Sequence, residues 1–268
     1  MMNTEKELRA RFNPDGSVLR MQQLRMLELL DFVDGVCKKH NIPYWLSSGT
    51  LIGAVRHKGF IPWDDDLDIE MMRKDYLRLL KVLPTELPDQ YALQTHETDE
   101  NYIFIFGKLR DKNSFLSETN DYDRIFKYRG IYIDIFPMEH LTKSVAWLGG
   151  HLHGQIYKQL KKKNIDKKTL LKRVNRIYSF NHHISMPVLR FFSRLFPVKE
   201  IRHSLGTAYF SPRYKEEIFP LAEIEFEGKL FPAPHDTYSY LKRIYGDYMN
   251  LPDLDKITPH FNKIEFFK

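Results

Sequence analysis

Apolar residues recur along this chain with two periods, and the switches between them mark out its elements. Over residues 18–39, Met26, Leu29, Leu30, Val33 and Cys37 fall three or four positions apart, the spacing that places side chains on one face of an α-helix. Ile42-Pro43 ends that helix, because proline disfavours the helical region at the residue before it. Tyr44-Trp45-Leu46 then reads as a short strand. A second amphipathic helix runs from Arg73 to Leu83, with Tyr76, Leu79, Leu80 and Leu83 on one face. Tyr102 to Leu109 and Ile131 to Phe136 are dense in β-branched and aromatic residues and read as strands. Strands and helices mix without a regular βαβ rhythm, so the pattern predicts an α+β fold rather than a doubly wound sheet.

Composition narrows the class. The chain has 268 residues, 43% of them hydrophobic and 14% aromatic, enough to bury a sizeable core. The single cysteine, Cys37, excludes an internal disulfide framework and multi-cysteine metal sites. No apolar run approaches the roughly 18 residues of a membrane span, and the polar Met1-to-Lys6 start is unlike a secretory signal. The expectation is a cytoplasmic protein. The net charge of +6 hides an asymmetry. Residues 151–205 carry thirteen Lys or Arg against Asp166 and Glu200, or +11, which leaves −5 on the rest. Three segments are therefore predicted: a core over 1–150, a basic helical insert over 151–205 broken near Pro187 and Pro197, and a C-terminal part over 206–268 that completes the core.

The densest chemistry lies between Gly49 and Ile69. Asp64, Asp65, Asp66 and Asp68 set four carboxylates within five residues, and they repel unless solvent or a cation intervenes. Leu67 and Ile69 alternate with Asp66 and Asp68, so in a strand the two aspartates share a face, about 7 Å apart. Burying that face without a counter-charge is costly, and a divalent cation relieves the cost. An EF-hand fails the test: its sixth position would be Ile69 instead of Gly and its twelfth Asp75 instead of Glu. Magnesium, which takes few carboxylates and completes its shell with water and phosphate oxygens, suits the Asp-x-Asp pair better. A third carboxylate comes from Ile131-Tyr132-Ile133-Asp134-Ile135-Phe136, where period two sends the isoleucines to the core and Tyr132, Asp134 and Phe136 to the other face.

Upstream, Gly49-Thr50 sits between the Tyr44–Leu46 strand and a segment able to start a helix, a junction whose backbone N–H groups bind anions. No P-loop or Gly-x-Gly-x-x-Gly is present. Arg56, Lys108 and Arg110 are candidate clamps for a diphosphate. His151-Leu152-His153 and His182-His183 match no zinc template, and no Gly-x-Ser-x-Gly elbow marks a serine hydrolase.

Ser48-Gly49-Thr50-Leu51-Ile52-Gly53-Ala54-Val55-Arg56-His57, continued by Ile61-Pro62-Trp63-Asp64-Asp65-Asp66-Leu67-Asp68-Ile69, resembles the signature of the LicD family of phosphotransferases. Ile133-Asp134-Ile135-Phe136-Pro137, Phe226-Glu227-Gly228 and Tyr245 through Pro252 extend the resemblance over about residues 20–250. It implies a nucleotidyltransferase-like mixed sheet flanked by helices. It also implies Asp66, Asp68 and Asp134 as catalytic, metal-binding carboxylates for Mg²⁺ or Mn²⁺, and Gly49 with Thr50 as the donor-binding Gly-Ser element. The implied reaction moves phosphocholine from CDP-choline to a teichoic-acid or related glycan precursor, with Trp63, Tyr132 and Phe136 offering an aromatic pocket for the quaternary ammonium. Other CDP-linked groups (ribitol, glycerol or ethanolamine phosphate), nucleotidyl transfer, and a non-catalytic glycan- or membrane-binding role remain open. The basic insert aligns with no motif. It reads as a solvated face, an acceptor groove or a patch for anionic membrane; nucleic acid is not an expected partner, because its aromatics space as helix packing.

Overall fold

A computed structural model describes residues 4–162 and 165–267, so Lys163 of the basic run lies outside the described residues. In chain order the helices are α1 (Glu5–Phe12), α2 (Val18–Lys39), α3 (Ser48–His57), α4 (Arg73–Glu86), α5 (Lys143–Leu160), α6 (Lys167–Phe180), α7 (Met186–Ser193), α8 (Lys215–Ile218) and α9 (Thr237–Tyr245). The strands are β1 (Trp45–Leu46), β2 (Asp68–Met72), β3 (Tyr91–Gln94), β4 (Gly107–Asp111), β5 (Ser114–Glu118), β6 (Tyr132–His140), β7 (Ile201–His203), β8 (Ala222–Phe226), β9 (Lys229–Ala233) and β10 (Phe261–Phe266).

The main sheet runs β1-β2-β6-β4-β3, with β7 on the far half of β6. Only β2 and β6 are parallel; β1, β4, β3 and β7 join antiparallel. This is the mixed sheet of an α+β fold. Period two divides it into unlike faces. Ile69, Met71, Leu109, Ile133 and Ile135 are buried on one face, in the core that α2 and α4 supply with Met26, Leu29, Val33, Leu79 and Leu83. The other face carries Asp68, Glu70, Lys108, Arg110, Tyr132 and Asp134.

The two helices predicted from apolar spacing are present. Ser17 caps α2 by accepting from Arg20 N–H, and α4 runs on past Leu83 to Glu86 with Pro84 in its last turn. The strand expected over Tyr102–Leu109 forms only from Gly107. Tyr102 and Ile103 instead pack beneath α5 and α6 with Ile125, Ile156 and Val174, so side-chain burial there outweighs ladder formation. The break expected near Pro187 is a π turn, Asn181–Ser185, joining α6 to α7. Proline lacks the N–H and its ring crowds the carbonyl four residues back, which widens the turn without ending the helix. The last residues of the basic segment leave the helices and enter the sheet as β7.

Candidate active site

The polar face of the sheet opens into a cavity of about 740 Å³. Register explains which side chains meet there. Asp68 on β2 stands beside Asp134 on β6, and Lys108 on β4 stands on the other side of Asp134. Lys108 Nζ lies 2.6 Å from Asp134 Oδ1. Asp66 precedes the strand rather than belonging to it, and lines the same cavity. The acidic loop is tied down from behind: Gln22 donates to the Asp65 carbonyl at 2.7 Å and Gln23 to that of Asp64 at 2.9 Å. Asp65 itself turns toward the C-terminal segment and accepts from His260 N–H at 2.6 Å and Nδ1 at 2.8 Å. That pairing, above all, raises the imidazole to about 9.

Charge compensation in the ledge is incomplete. Asp64 and Asp66 are half-buried, and Asp68 and Asp134 are buried. Burial first, then Asp66, pushes the Asp64 and Asp68 carboxyls well above the ordinary range. Burial, then Asp65, raises Asp66. Burial lifts Asp134 to about 6 even though Lys108 opposes the shift. Asp64 Oδ2 finds no donor.

Helix α3 begins at the cavity wall, with Ser48 and Gly49 among the lining residues. A Cβ on Gly49 would lie 2.6 Å from Asp64 Oδ2, so glycine lets the helix start approach the carboxylates without displacing the Asp64 side chain. Thr50 behaves differently from the expectation. Its Oγ1 accepts from Asp68 N–H at 2.9 Å, so it positions the strand end and does not face the cavity. Ser48, which the sequence reading passed over in favour of Thr50, is the hydroxyl that reaches Asp68.

The proposed clamps separate. Lys108 lines the cavity. Arg56 does not: its guanidinium is engaged by the Tyr248 carbonyl at 3.0 Å and by His57 Nε2 at 2.8 Å. Arg110 does not either; it is fully buried, donating to Gln94 Oε1 and the Gly130 carbonyl, both at 2.7 Å. Of the three aromatics, Trp63 packs edge-on against Phe12 and lies off the cavity. Tyr132 lines it, but Lys108 Nζ sits 3.3 Å from its ring centroid, so that face already holds a cation. Phe136 stacks on His203. Aromatic surface also reaches the cavity from Phe104, Tyr209, Tyr245 and Phe261, none of which was singled out as a site residue.

The sequence reading also missed Glu70, two residues beyond Asp68 on the same strand face. It is fully buried and accepts from Arg213 Nη2 at 2.7 Å, His203 Nε2 at 2.8 Å, Tyr240 OH at 2.6 Å and Trp45 Nε1 at 3.1 Å. Burial alone would raise it, but Arg213 first and His203 next hold it down at about 2. His203 lies below its ordinary value, from burial and then Arg213. The alternation Asp66, Asp68, Glu70 was the available signal; its partners come from up to 170 positions away.

A carboxylate ledge on a mixed sheet, facing a helix N-terminus, is a site suited to phosphoryl or nucleotidyl transfer. The family described as LicD/FKTN/FKRP, nucleotidyltransferase domain, matches residues 41–179. The lipopolysaccharide cholinephosphotransferase LicD of Haemophilus influenzae is 30% identical over 257 residues, covering 90% of this chain and 95% of that protein. The chain belongs to the LicD family and is a phosphotransferase. Shorter matches reach an uncharacterised protein of Rickettsia prowazekii, 49% identical over 97 residues (35% of this chain and 36% of that protein). They also reach the ribitol 5-phosphate transferase FKRP of Homo sapiens, 42% identical over 48 residues (18% and 10%).

Proposed function

We propose that the protein moves phosphocholine from CDP-choline to a sugar hydroxyl of a lipopolysaccharide, teichoic-acid or other cell-surface glycan precursor, with Mg²⁺ (or Mn²⁺ in its place) as cofactor. The observation that carries this reading is the under-compensated ledge of Asp66, Asp68 and Asp134 in a cavity that also holds Lys108 and the start of α3. The name of the Haemophilus relative supports choline as the head group.

The residues fit a hard divalent cation. Their carboxyls are raised by burial and mutual repulsion, and Asp64 Oδ2 lacks a donor. Among the described residues no group of three or more His, Cys, Asp or Glu already stands close enough together to hold a metal ion, so the carboxylates would have to draw in around it. An open ledge suits an ion that keeps several waters and takes phosphate oxygens. Asp66 and Asp68 would hold it, with Asp134 beside them left to take the acceptor's proton. Bound there, the cation supplies Lewis-acid stabilisation of the departing CMP phosphate.

The chain's own groups do the rest. Backbone N–H groups at Ser48 and Gly49 receive phosphate oxygens at the positive end of α3. Lys108 fixes Asp134 and adds positive charge beside the transferred phosphorus. The acceptor hydroxyl oxygen bonds to phosphorus as the bond to the CMP oxygen breaks, and Asp134 Oδ2, the oxygen turned from Lys108, receives the proton. Tyr209, 58% exposed at the cavity, offers a free ring face to a quaternary ammonium.

A polyol phosphate donor is the second reading, favoured by the match to a ribitol 5-phosphate transferase and by the Tyr132 face already holding Lys108. Turnover of CDP-choline, CDP-ethanolamine, CDP-ribitol and CDP-glycerol, with analysis of the product, tests both. Phosphocholine on the acceptor with CMP released is expected. Faster transfer from CDP-ribitol installs the second reading, and nucleotide on the acceptor overturns both.

A further inference from the structure

One face of the basic insert is neither covered nor polar. Ile184, Val188, Phe191, Phe192, Leu195 and Phe196 are exposed, Phe191 at 63% and Phe196 at 67%. Phe180 continues the same row into α6 at 56%. The positions 180, 184, 188 and 191 advance by three or four, so they form one stripe along α6, the π turn and α7, and Leu195 and Phe196 follow in the turn after α7. Scattered exposed apolar residues are ordinary; a contiguous stripe of this size marks a docking surface.

The charge along the segment that carries the stripe is of one sign. No Asp or Glu occurs between Lys167 and Lys199, whereas Lys172, Arg173, Arg176, Arg190, Arg194 and Lys199 do. Where α7 meets the start of α4, a second cavity of about 470 Å³ gathers Arg73, Lys74, Arg190 and Arg194. Arg190 is paired with Glu139 at 2.9 Å. Arg73, Lys74 and Arg194 have no carboxylate partner among the described residues. Arg73 sits below its ordinary value, through burial and then Arg190, against the opposing pull of Glu139, the carboxylate that lines the same cleft. This cleft borders Met138, four residues along β6 from Asp134, or about 13 Å.

We propose that this face docks on a bilayer carrying anionic phospholipid, the stripe entering the headgroup layer and the arginine cleft taking lipid phosphate. The surface asks for both an apolar phase and a field of negative charge, and an anionic leaflet supplies the two together. Long Lys and Arg stems reach phosphates while their methylenes lie along the apolar boundary. No described helix is long and apolar enough to cross a membrane, so this attachment is peripheral and reversible. The proposal goes beyond the transfer reaction and stands on different residues.

Co-sedimentation of the full chain with phosphatidylcholine vesicles, and with vesicles containing phosphatidylglycerol, tests it at low and high salt. Binding is expected to the anionic vesicles at low salt and to weaken at high salt. The Arg73→Gln/Arg194→Gln variant should bind roughly fivefold more weakly for each arginine removed. A Phe191→Ser/Phe192→Ser/Phe196→Ser variant should lose on the order of a hundredfold. These side chains are exposed or half-buried, so thermal unfolding should match wild type and separate lost docking from lost fold. Equal binding to both vesicle types at low salt overturns the proposal. So does a lipid-free dimer, seen by sedimentation velocity, that the triple serine variant abolishes, since the stripe would then be a contact between copies.

Discussion

One buried glutamate and a group of four aspartates lie side by side at one face of one sheet, and they meet the same electrostatic problem in opposite ways. Glu70 is surrounded by four donors, one of them the cationic Arg213, and its carboxyl sits near 2. Asp66, Asp68 and Asp134 share Lys108, with His260 helping at Asp66, and these three carboxyls and that of Asp64 are all raised. Sequence separates Asp68 from Glu70 by one residue. What differs is the supply of positive charge from distant elements: α9 and β7 with their flanking loops reach Glu70 and stop there. Complete compensation makes a structural joint, here tying β1, β2, β7 and α9 together. Incomplete compensation stores unfavourable charge that a bound cation and an anionic donor can relieve, which is why perturbed carboxylates gather at functional sites.

The largest effect that could break this contrast comes from the ledge. Asp66→Asn, Asp68→Asn and Asp134→Asn should each lower transfer by roughly a hundredfold or more, the scale of removing one preorganised charge from a polar reaction. The melting temperatures of the Asp66 and Asp68 variants should hold or rise, since each removes a member of a repelling set, whereas Asp134→Asn leaves the buried Lys108 without its carboxylate and should lose stability. An Asp66 or Asp68 variant with near wild-type turnover at saturating Mg²⁺ would dissolve the metal assignment.

Glu70→Gln should behave in the reverse manner. It leaves Arg213, 2% exposed, without a counter-charge, and breaking a buried pair from one side costs about 3–5 kcal/mol. Urea unfolding measures this directly. A loss below about 1 kcal/mol would mean that the joint is not what holds these elements.

His153 is an intermediate case, satisfied on one side only. Its Nε2 donates to the Ile103 carbonyl at 2.7 Å, and Nδ1 is buried without a partner. Burial holds the imidazole down at about 4, against 6.5 ordinarily. The unfolded chain therefore takes up the proton first, so this group's contribution is complete above about 6.5 and is lost as pH falls toward 4. Asp134, raised to about 6, acts with the opposite sign over part of that window, so only a difference isolates the histidine. The stability gap between wild type and His153→Gln, which keeps a donor for Ile103, should shrink by on the order of 3 kcal/mol from about pH 7 to about pH 4. A gap independent of pH would show the ring to be charged or exposed.

How much of this was legible in the chain follows from the range of each interaction. Helices α2 and α4, the apolar isoleucines of β6 and the grouping of Asp66, Asp68 and Asp134 all rest on period, and period is local. The joint at Glu70 was not legible, because Arg213 and Tyr240 lie 143 and 170 positions away. Arg56 and Arg110 looked like clamps because charge and proximity in sequence cannot show which carbonyls a guanidinium already serves. Thr50 was misread for the same reason: a hydroxyl beside a glycine can face a ligand or cap a strand, and only the register of β2 decides.

The smallest expected effect sharpens the under-compensated side. Lys108 occupies the Tyr132 face, so an incoming quaternary ammonium must find another ring, and Tyr209 is the exposed one near Phe136 and His203. Tyr209→Leu keeps bulk and removes the quadrupole. Affinity for CDP-choline should fall by about 0.5–2 kcal/mol, the range of a cation over an aromatic face, while affinity for CMP stays level. Because Tyr209 is largely exposed, the melting temperature should not move. Isothermal titration with both ligands reads the two numbers. Equal losses for CDP-choline and CMP would mean that the ring shapes the nucleotide end of the cavity. No loss for either would put the head group elsewhere and favour the polyol donor, which needs hydrogen bonds and no aromatic face.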